Sequence, residues 1–171
     1  MEAISLLHRR GLDGKAVILM MVLFSMRNDE GDVSCYFSLA RNTIKSEFIY
    51  ASNFSLGVNI FFELNKYLSK MMKNLTDYSV GIEEVHHTQK QDAPSGTAIT
   101  LAEGVIEHST YDSWDLAPTK DDRKLVITAK RIDEIPGTHT VNYESGVDNI
   151  SLTHTAHNRE GFGLGAVVAA E

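Results

Sequence analysis

Fifteen residues, Glu83-Glu84-Val85-His86-His87-Thr88-Gln89-Lys90-Gln91-Asp92-Ala93-Pro94-Ser95-Gly96-Thr97, lie between two segments of different periodicity. Ahead of them Tyr78, Val80 and Ile82 alternate with polar or small residues, the pattern of a half-buried strand. Behind them Ile99, Ala102, Val105 and Ile106 give a helix a buried face, and Ser95 stands at its N-cap. His86 to Pro94 reads as the loop that joins strand to helix.

The rest of the chain supplies the partners these two elements need. Phe48, Ile49 and Tyr50 read as the end of a short strand, and Ala51 to Gly57 as a polar loop. From Val58 to Leu75 the residues Phe61, Leu64, Leu68, Met71, Met72 and Leu75 fall at spacings of three and four, which predicts an amphipathic helix with this stripe in the core. Ser109 to Asp122 reads as a loop. Leu125, Ile127 and Ala129, then Val141 and Tyr143, then Ile150, Leu152 and His154 predict three successive antiparallel strands. Pro136-Gly137 and Ser145-Gly146 mark the turns between them. Gly161 to Ala170 is small and apolar and predicts a final helix, although its glycines weaken that pattern. The expected fold class is α+β: a mixed, largely antiparallel sheet with helices on one face.

Residues 1–47 do not continue this regularity. They hold one apolar run, Ala16 to Met26, preceded by His8, Arg9, Arg10 and Lys15. The run is short for a bilayer span. It is followed by Arg27, Asn28, Asp29 and Glu30 rather than by a small-residue cleavage site. A buried strand or helix is the first reading, an N-terminal extension the second and an export signal the third.

Charge and cysteine content narrow the function classes. A formal net charge of −7 argues against nucleic acid as a partner, because phosphate binding needs clustered Lys and Arg. A small anion needs only a local basic pocket. Cys35 is the one cysteine, so neither an internal disulfide nor a cysteine-based zinc site is expected. A reducing, cytoplasmic setting without a membrane partner fits best.

The segment Glu83–Thr97 holds the densest chemistry. Lys90 brings a positive charge, and His86 and His87 donate hydrogen bonds or protons near neutral pH. Ser95, Gly96 and Thr97 open a helix whose free N–H groups and dipole favour an anion. Gly96 permits close approach to the backbone. The alternative readings are structural: adjacent histidines at a strand end are often only solvated, and Ser-Gly-Thr often only caps. A metal site among His86, His87, His139, His154 and His157 lacks any recognised ligand spacing, so no metal is expected. Nor is there a Gly-x-Ser-x-Gly elbow for a serine nucleophile.

Residues Glu84 to Ala98 also resemble the signature of the 4-hydroxy-tetrahydrodipicolinate reductase family, Glu-x-His-His-x-x-Lys-x-Asp-Ala-Pro-Ser-Gly-Thr-Ala. Three further segments resemble it: Ala51 to Asn59, Arg131 to Thr140, and His154 to Arg159 followed by Phe162. The resemblance runs from about residue 48 to 171. It implies the family's C-terminal substrate-binding and tetramer-forming domain over 48–171, with 1–47 an atypical N-terminal segment. It also implies reduction of a cyclic dicarboxylate by NADH or NADPH.

By matching positions, His86 resembles the catalytic proton donor or acceptor and Lys90 the catalytic lysine. His87, Ser95, Gly96, Thr97 and Arg159 match the substrate site. Ala51, Ser52, Asn53 and Phe54 match the segment beside the nicotinamide. The family's N-terminal Rossmann phosphate loop has no counterpart in residues 1–47, where Gly11, Gly14 and Gly31 are wrongly spaced. The expected alternative to turnover is a dicarboxylate-binding or oligomerisation module derived from that enzyme.

Overall fold

The computed structural model describes residues 51–170. Expectations for Ala16–Met26, Cys35 and Phe48–Tyr50 lie outside the described residues. The described part is α+β, as expected. Helix α1 (Leu56–Met72) leads to strand β1 (Ser79–His86), then to helix α2 (Gly96–Ile106). Strands β2 (Ser113–Leu116), β3 (Lys124–Arg131), β4 (Gly137–Glu144) and β5 (Asn149–Ala156) follow, and helix α3 (Glu160–Ala170) closes the order.

The sheet runs β2-β3-β1-β4-β5. It differs from the expected succession of antiparallel strands. β1 pairs parallel with β3 on one side and antiparallel with β4 on the other, and β2 pairs parallel with β3. Only β4 and β5 form the expected hairpin. The cause is two successive crossovers: α2 returns the chain so that β2 runs in the direction of β1, and residues 117–123 return it again, so that β3 enters between them in the same direction. β2 lies within the stretch read as a loop; its four residues, Ser-Trp-Asp-Leu, are too few to show a period. β1 also extends through His86, one residue into the expected loop.

Leu101 and Val105 of α2 and Leu125, Ile127 and Val141 of the sheet are fully buried and form the core between helices and sheet. α1 packs on α2, but not through the whole expected stripe. Phe61 and Met72 are buried, while Leu64, Met71 and Leu75 are each at least 50% exposed. The buried face is Val58, Phe61, Phe62, Asn65, Ser69 and Met72. Two polar side chains select it: Asn65 Nδ2 donates to the Leu101 carbonyl at 2.9 Å, and Ser69 Oγ to that of Val105 at 3.2 Å. Gly104 lets the helices meet this closely, because a Cβ there would lie 3.1 Å from Asn65 Nδ2. A second apolar stripe, Leu56, Ile60, Leu64, Tyr67 and Met71, is left exposed.

α3 is the expected final helix, and its packing explains one of its glycines, Gly165. A Cβ on Gly165 would stand 1.7 Å from the Phe54 carbonyl oxygen, so this position admits glycine alone while the helix lies on the loop. At Gly161 the nearest atom, Ser55 Oγ, is at an ordinary 3.5 Å. Urea unfolding of Gly165→Ala is therefore expected to show a loss of about 2 kcal/mol or more from forced displacement. Gly161→Ala, in the first turn of the same helix, should stay within about 0.5 kcal/mol of the parent. Equal effects would show that α3 does not rest on the loop in this way.

Candidate functional site

The site forms where β1 and β3 end and β4 begins, against the start of α2. Strand register sets the facing side chains. Glu84 lies opposite Ala129 of β3 and His139 of β4, and His86 lies opposite Arg131 of β3. Residues two apart on a strand share a face. Glu84 and His86 therefore both point to the helix side.

Glu84 is fully buried and is surrounded by donors. Arg131 Nη2 donates to its Oε1 at 3.0 Å. The Ser95 backbone N–H is shared between the two carboxylate oxygens, at 3.2 and 3.1 Å. Imidazole nitrogens of His86 and His139 stand 3.4 and 3.7 Å from Oε2. Burial alone would raise the Glu84 pKa. The side chains of His139, Ser95 and Arg131 outweigh it and hold the carboxyl at about 2. His86 moves the other way: burial first, then the neighbouring His139, Lys90 and Arg131, lower it to about 4 against the opposing pull of Glu84. At neutral pH the pair is thus a carboxylate beside a neutral imidazole.

Arg131 ties this centre to the loop. Its guanidinium also donates to the carbonyls of Lys90 at 3.2 Å and Asp92 at 2.6 Å, which fixes the path of residues 90–92. Lys90 Nζ is held by the Asp92 carboxylate, at 2.7 and 2.8 Å. His87, just past the strand, receives the Arg159 guanidinium on Nε2 at 2.9 Å. Arginine has no lone pair to offer, so His87 Nε2 is the acceptor and its proton sits on Nδ1. An open groove of about 420 Å³ runs beside them, lined by His87, Thr88, Gln89, Asp133, Glu134, Pro136 and Arg159.

Ser95 caps α2 as expected, its Oγ accepting from the Ala98 N–H at 3.2 Å and lying 3.1 Å from His139 Nε2. With the Ser95 N–H taken by Glu84 and that of Ala98 by the cap, the N–H groups of Gly96 and Thr97 have no partner among the described residues. Two adjacent donors at a helix start suit a carboxylate.

The loop 51–55 reaches the same place. Asn53 is buried; its Nδ2 donates to Thr97 Oγ1 at 3.1 Å, and its Oδ1 accepts from the Ser55 N–H at 2.8 Å. Ser52 meets Thr100 at 2.9 Å and lies beside Gly96. Ala51 and Phe54 are half-buried, and the Phe54 carbonyl lies under Gly165. The structure thus brings Ser52 and Asn53 to Gly96, Thr97 and Thr100, places Ser95 on Glu84 and His139, and pairs His87 with Arg159.

Sequence reading left Glu84, Arg131 and His139 out of the site. The signal for Glu84 was its offset of two from His86 on one strand. Arg131 and His139 lay in a segment marked only by resemblance, and pairing is what brings them to Glu84. Glu84, His86 and His139 also offer three ligand atoms within 4.8 Å of one another, the spacing of a metal site. Two of the three side chains are already engaged, Glu84 by Arg131 and Ser95, His139 by Ser95. The Arg131 cation on the same carboxylate opposes a second positive charge.

Residues 57–171 match the family model described as dihydrodipicolinate reductase, C-terminus. A 4-hydroxy-tetrahydrodipicolinate reductase of Christiangramia forsetii is 58% identical over 139 residues, covering 79% of this chain and 58% of that protein. One from Methanococcoides burtonii is 41% identical over 127 residues, 71% of this chain and 46% of the other. The chain spans about half the length of the curated relatives it matches. Among solved structures, a dipicolinate-bound dihydrodipicolinate reductase from Paenisporosarcina sp. TG-14 aligns with a TM-score of 0.52 and 26% identity, over 67% of this chain and 45% of that one.

The buried histidine makes the fold acid-sensitive. An imidazole kept neutral in the fold binds its proton more readily once unfolded, so stability falls as pH drops from about 6.5 to about 4. The size is on the order of 3 kcal/mol, at about 1.4 kcal/mol per pKa unit. Below pH 4.5 the protonation of Glu84 adds to the loss. Urea unfolding at pH 7 and pH 4 should show a clearly smaller drop for His86→Gln than for the parent chain; an equal drop would mean that His86 is not held neutral.

Proposed function

The chain belongs to the dihydrodipicolinate reductase family through that family's C-terminal domain, and on this premise we propose that it holds a cyclic dicarboxylate for reduction. The reaction is the NADH- or NADPH-dependent reduction of 4-hydroxy-tetrahydrodipicolinate to tetrahydrodipicolinate. The observation that carries the reading is the pair of N–H groups at Gly96 and Thr97, unpartnered among the described residues and set beside Asn53 and Ser52. We place the boundary of this domain near residue 48, with 1–47 a separate segment.

Each side chain then has a role that its surroundings favour. Gly96, Thr97 and the α2 dipole hold one carboxylate. Ser95 fixes the helix start that presents them. Lys90, released from Asp92, and Arg159, released from His87, supply charge to the substrate. His86, neutral at pH 7, exchanges the proton that the reduction requires. Asp92 is the acidic partner that Lys90 must exchange for substrate.

The residues present fit one end of a nicotinamide cofactor. Ala51 to Phe54 stand against the substrate helix, with Asn53 pinned at both ends of its amide. Bound there, a reduced nicotinamide would supply the hydride. Among the described residues no glycine-rich turn joins a strand to a helix in the manner of a phosphate loop. The second reading, a dicarboxylate-binding or oligomerisation module without turnover, draws on the same fact. It also draws on the face of the sheet turned away from the helices, where Thr138, Thr140, Thr153 and Thr155 form a hydroxyl ladder open to another copy. A tetramer built on that face is our proposal for the assembly. Among the described residues no helix is long and apolar enough to cross a membrane.

Calorimetry with pyridine-2,6-dicarboxylate tests the binding role. A charged hydrogen bond contributes about 1.5–3 kcal/mol, so Lys90→Ala should weaken binding roughly 10- to 100-fold. Equal affinity of Lys90→Ala and the parent chain would remove Lys90 from the site. Absence of binding by the parent chain would overturn the dicarboxylate reading.

A further inference from the structure

Glu84 is the one carboxylate among the described residues that is buried, and the roles assigned above do not use it. A lone buried carboxylate is costly, and its two donors, Arg131 and the Ser95 N–H, offset that cost only in part of its surroundings. Arg131 approaches Oε1, while Oε2 faces the two imidazoles. His86 Nδ1 lies 3.4 Å from Oε2 and has no hydrogen-bond partner within the described protein. The ring is packed edge-on against His139, at 74° with centroids 4.9 Å apart, which restricts its turning.

A neutral imidazole carries its one proton on either nitrogen. With the lone pair on Nδ1, two electron-rich atoms would face each other in a buried site. With the proton there, the N–H stands beside a carboxylate oxygen at 3.4 Å, a favourable electrostatic contact. The opposite nitrogen, Nε2, lies in a different environment. A Cβ on Gly137 would come within 3.0 Å of it, so the missing side chain at that position leaves space in front of Nε2. The other charged groups around the ring are Lys90 and Arg131, both cations, and neither accepts a hydrogen bond.

We propose that Glu84 is a positioning residue that fixes the tautomer of His86, with hydrogen on Nδ1 and the lone pair on Nε2, opposite Gly137. This rests on the reading of His86 as the proton-exchanging group and specifies its working atom as Nε2. Gly137 belongs to the same device, because a side chain there would press on the nitrogen that must stay accessible.

Nitrogen-15 NMR of the imidazole rings, by long-range proton–nitrogen correlation on the chain at pH 7, reads the tautomer directly. The expected result is a protonated, pyrrole-type Nδ1 and a pyridine-type Nε2 for His86. In Glu84→Gln, Arg131 holds the amide oxygen at the Oε1 position, so the NH2 group takes the place of Oε2 and donates toward the ring. His86 should then change to the Nε2–H form. If Glu84→Gln does not fold, Glu84→Asp keeps the charge but withdraws it by one methylene, and a mixture of tautomers is expected. An Nε2–H ring in the parent chain, or the same tautomer in parent and folded variant, would overturn the proposal. The spectrum depends on neither dicarboxylate binding nor turnover, so its failure and a failure in the calorimetry are separately visible.

Discussion

The buried carboxylate of Glu84 ties the paired strands β1 and β3 to the turn that opens α2. It stands on β1, takes the Arg131 guanidinium from β3 and accepts the first backbone N–H of the turn into α2. Removing any one partner leaves a buried group unpaired, and that loss exceeds the net worth of the bond itself. The start of α2 is therefore set by the sheet. The donors of Gly96 and Thr97 point where they do because Ser95 cannot move without releasing Glu84.

The topology makes this possible. β1 is the strand at which the sheet changes from parallel to antiparallel pairing, so its end has one neighbour arriving from each kind of connection. Arg131 comes from the parallel side and His139 from the antiparallel side. The helix α2, the first of the two crossovers behind the parallel pairing, is the same helix whose start forms the proposed anion site. Crossover and site are thus products of one piece of chain. The loop 51–55 completes the arrangement from outside the sheet, held by Asn53 and by the close approach of Gly165.

Much of this was legible in the sequence. The alternation at Tyr78–Ile82, the Ser95 cap and the apolar spacing at Ile99–Ile106 placed the strand, the helix and the polar segment between them. What the sequence concealed is instructive in physical terms. α1 carries two apolar stripes, and the one with more large side chains stayed exposed, because Asn65 and Ser69 find α2 carbonyls on the other face. Periodicity ranks hydrophobicity and does not see those two hydrogen bonds. Arg131 and His139 were invisible as site residues because only strand register carries them to Glu84. Glu84 itself had a local sign, its place two residues from His86, but a carboxylate on the buried face of a strand is legible only once its cations are known.

The central claim is the proposed one, that a dicarboxylate settles on the start of α2. Backbone amide NMR during a titration with pyridine-2,6-dicarboxylate tests it residue by residue. The account predicts the largest shifts at the amides of Gly96 and Thr97, with smaller ones at Asn53 and Lys90. A second open groove, of about 470 Å³, lies among Ser79, Gly81, Lys124, Asn142 and Glu144. Shifts concentrated there, with Gly96 and Thr97 unmoved, would contradict it.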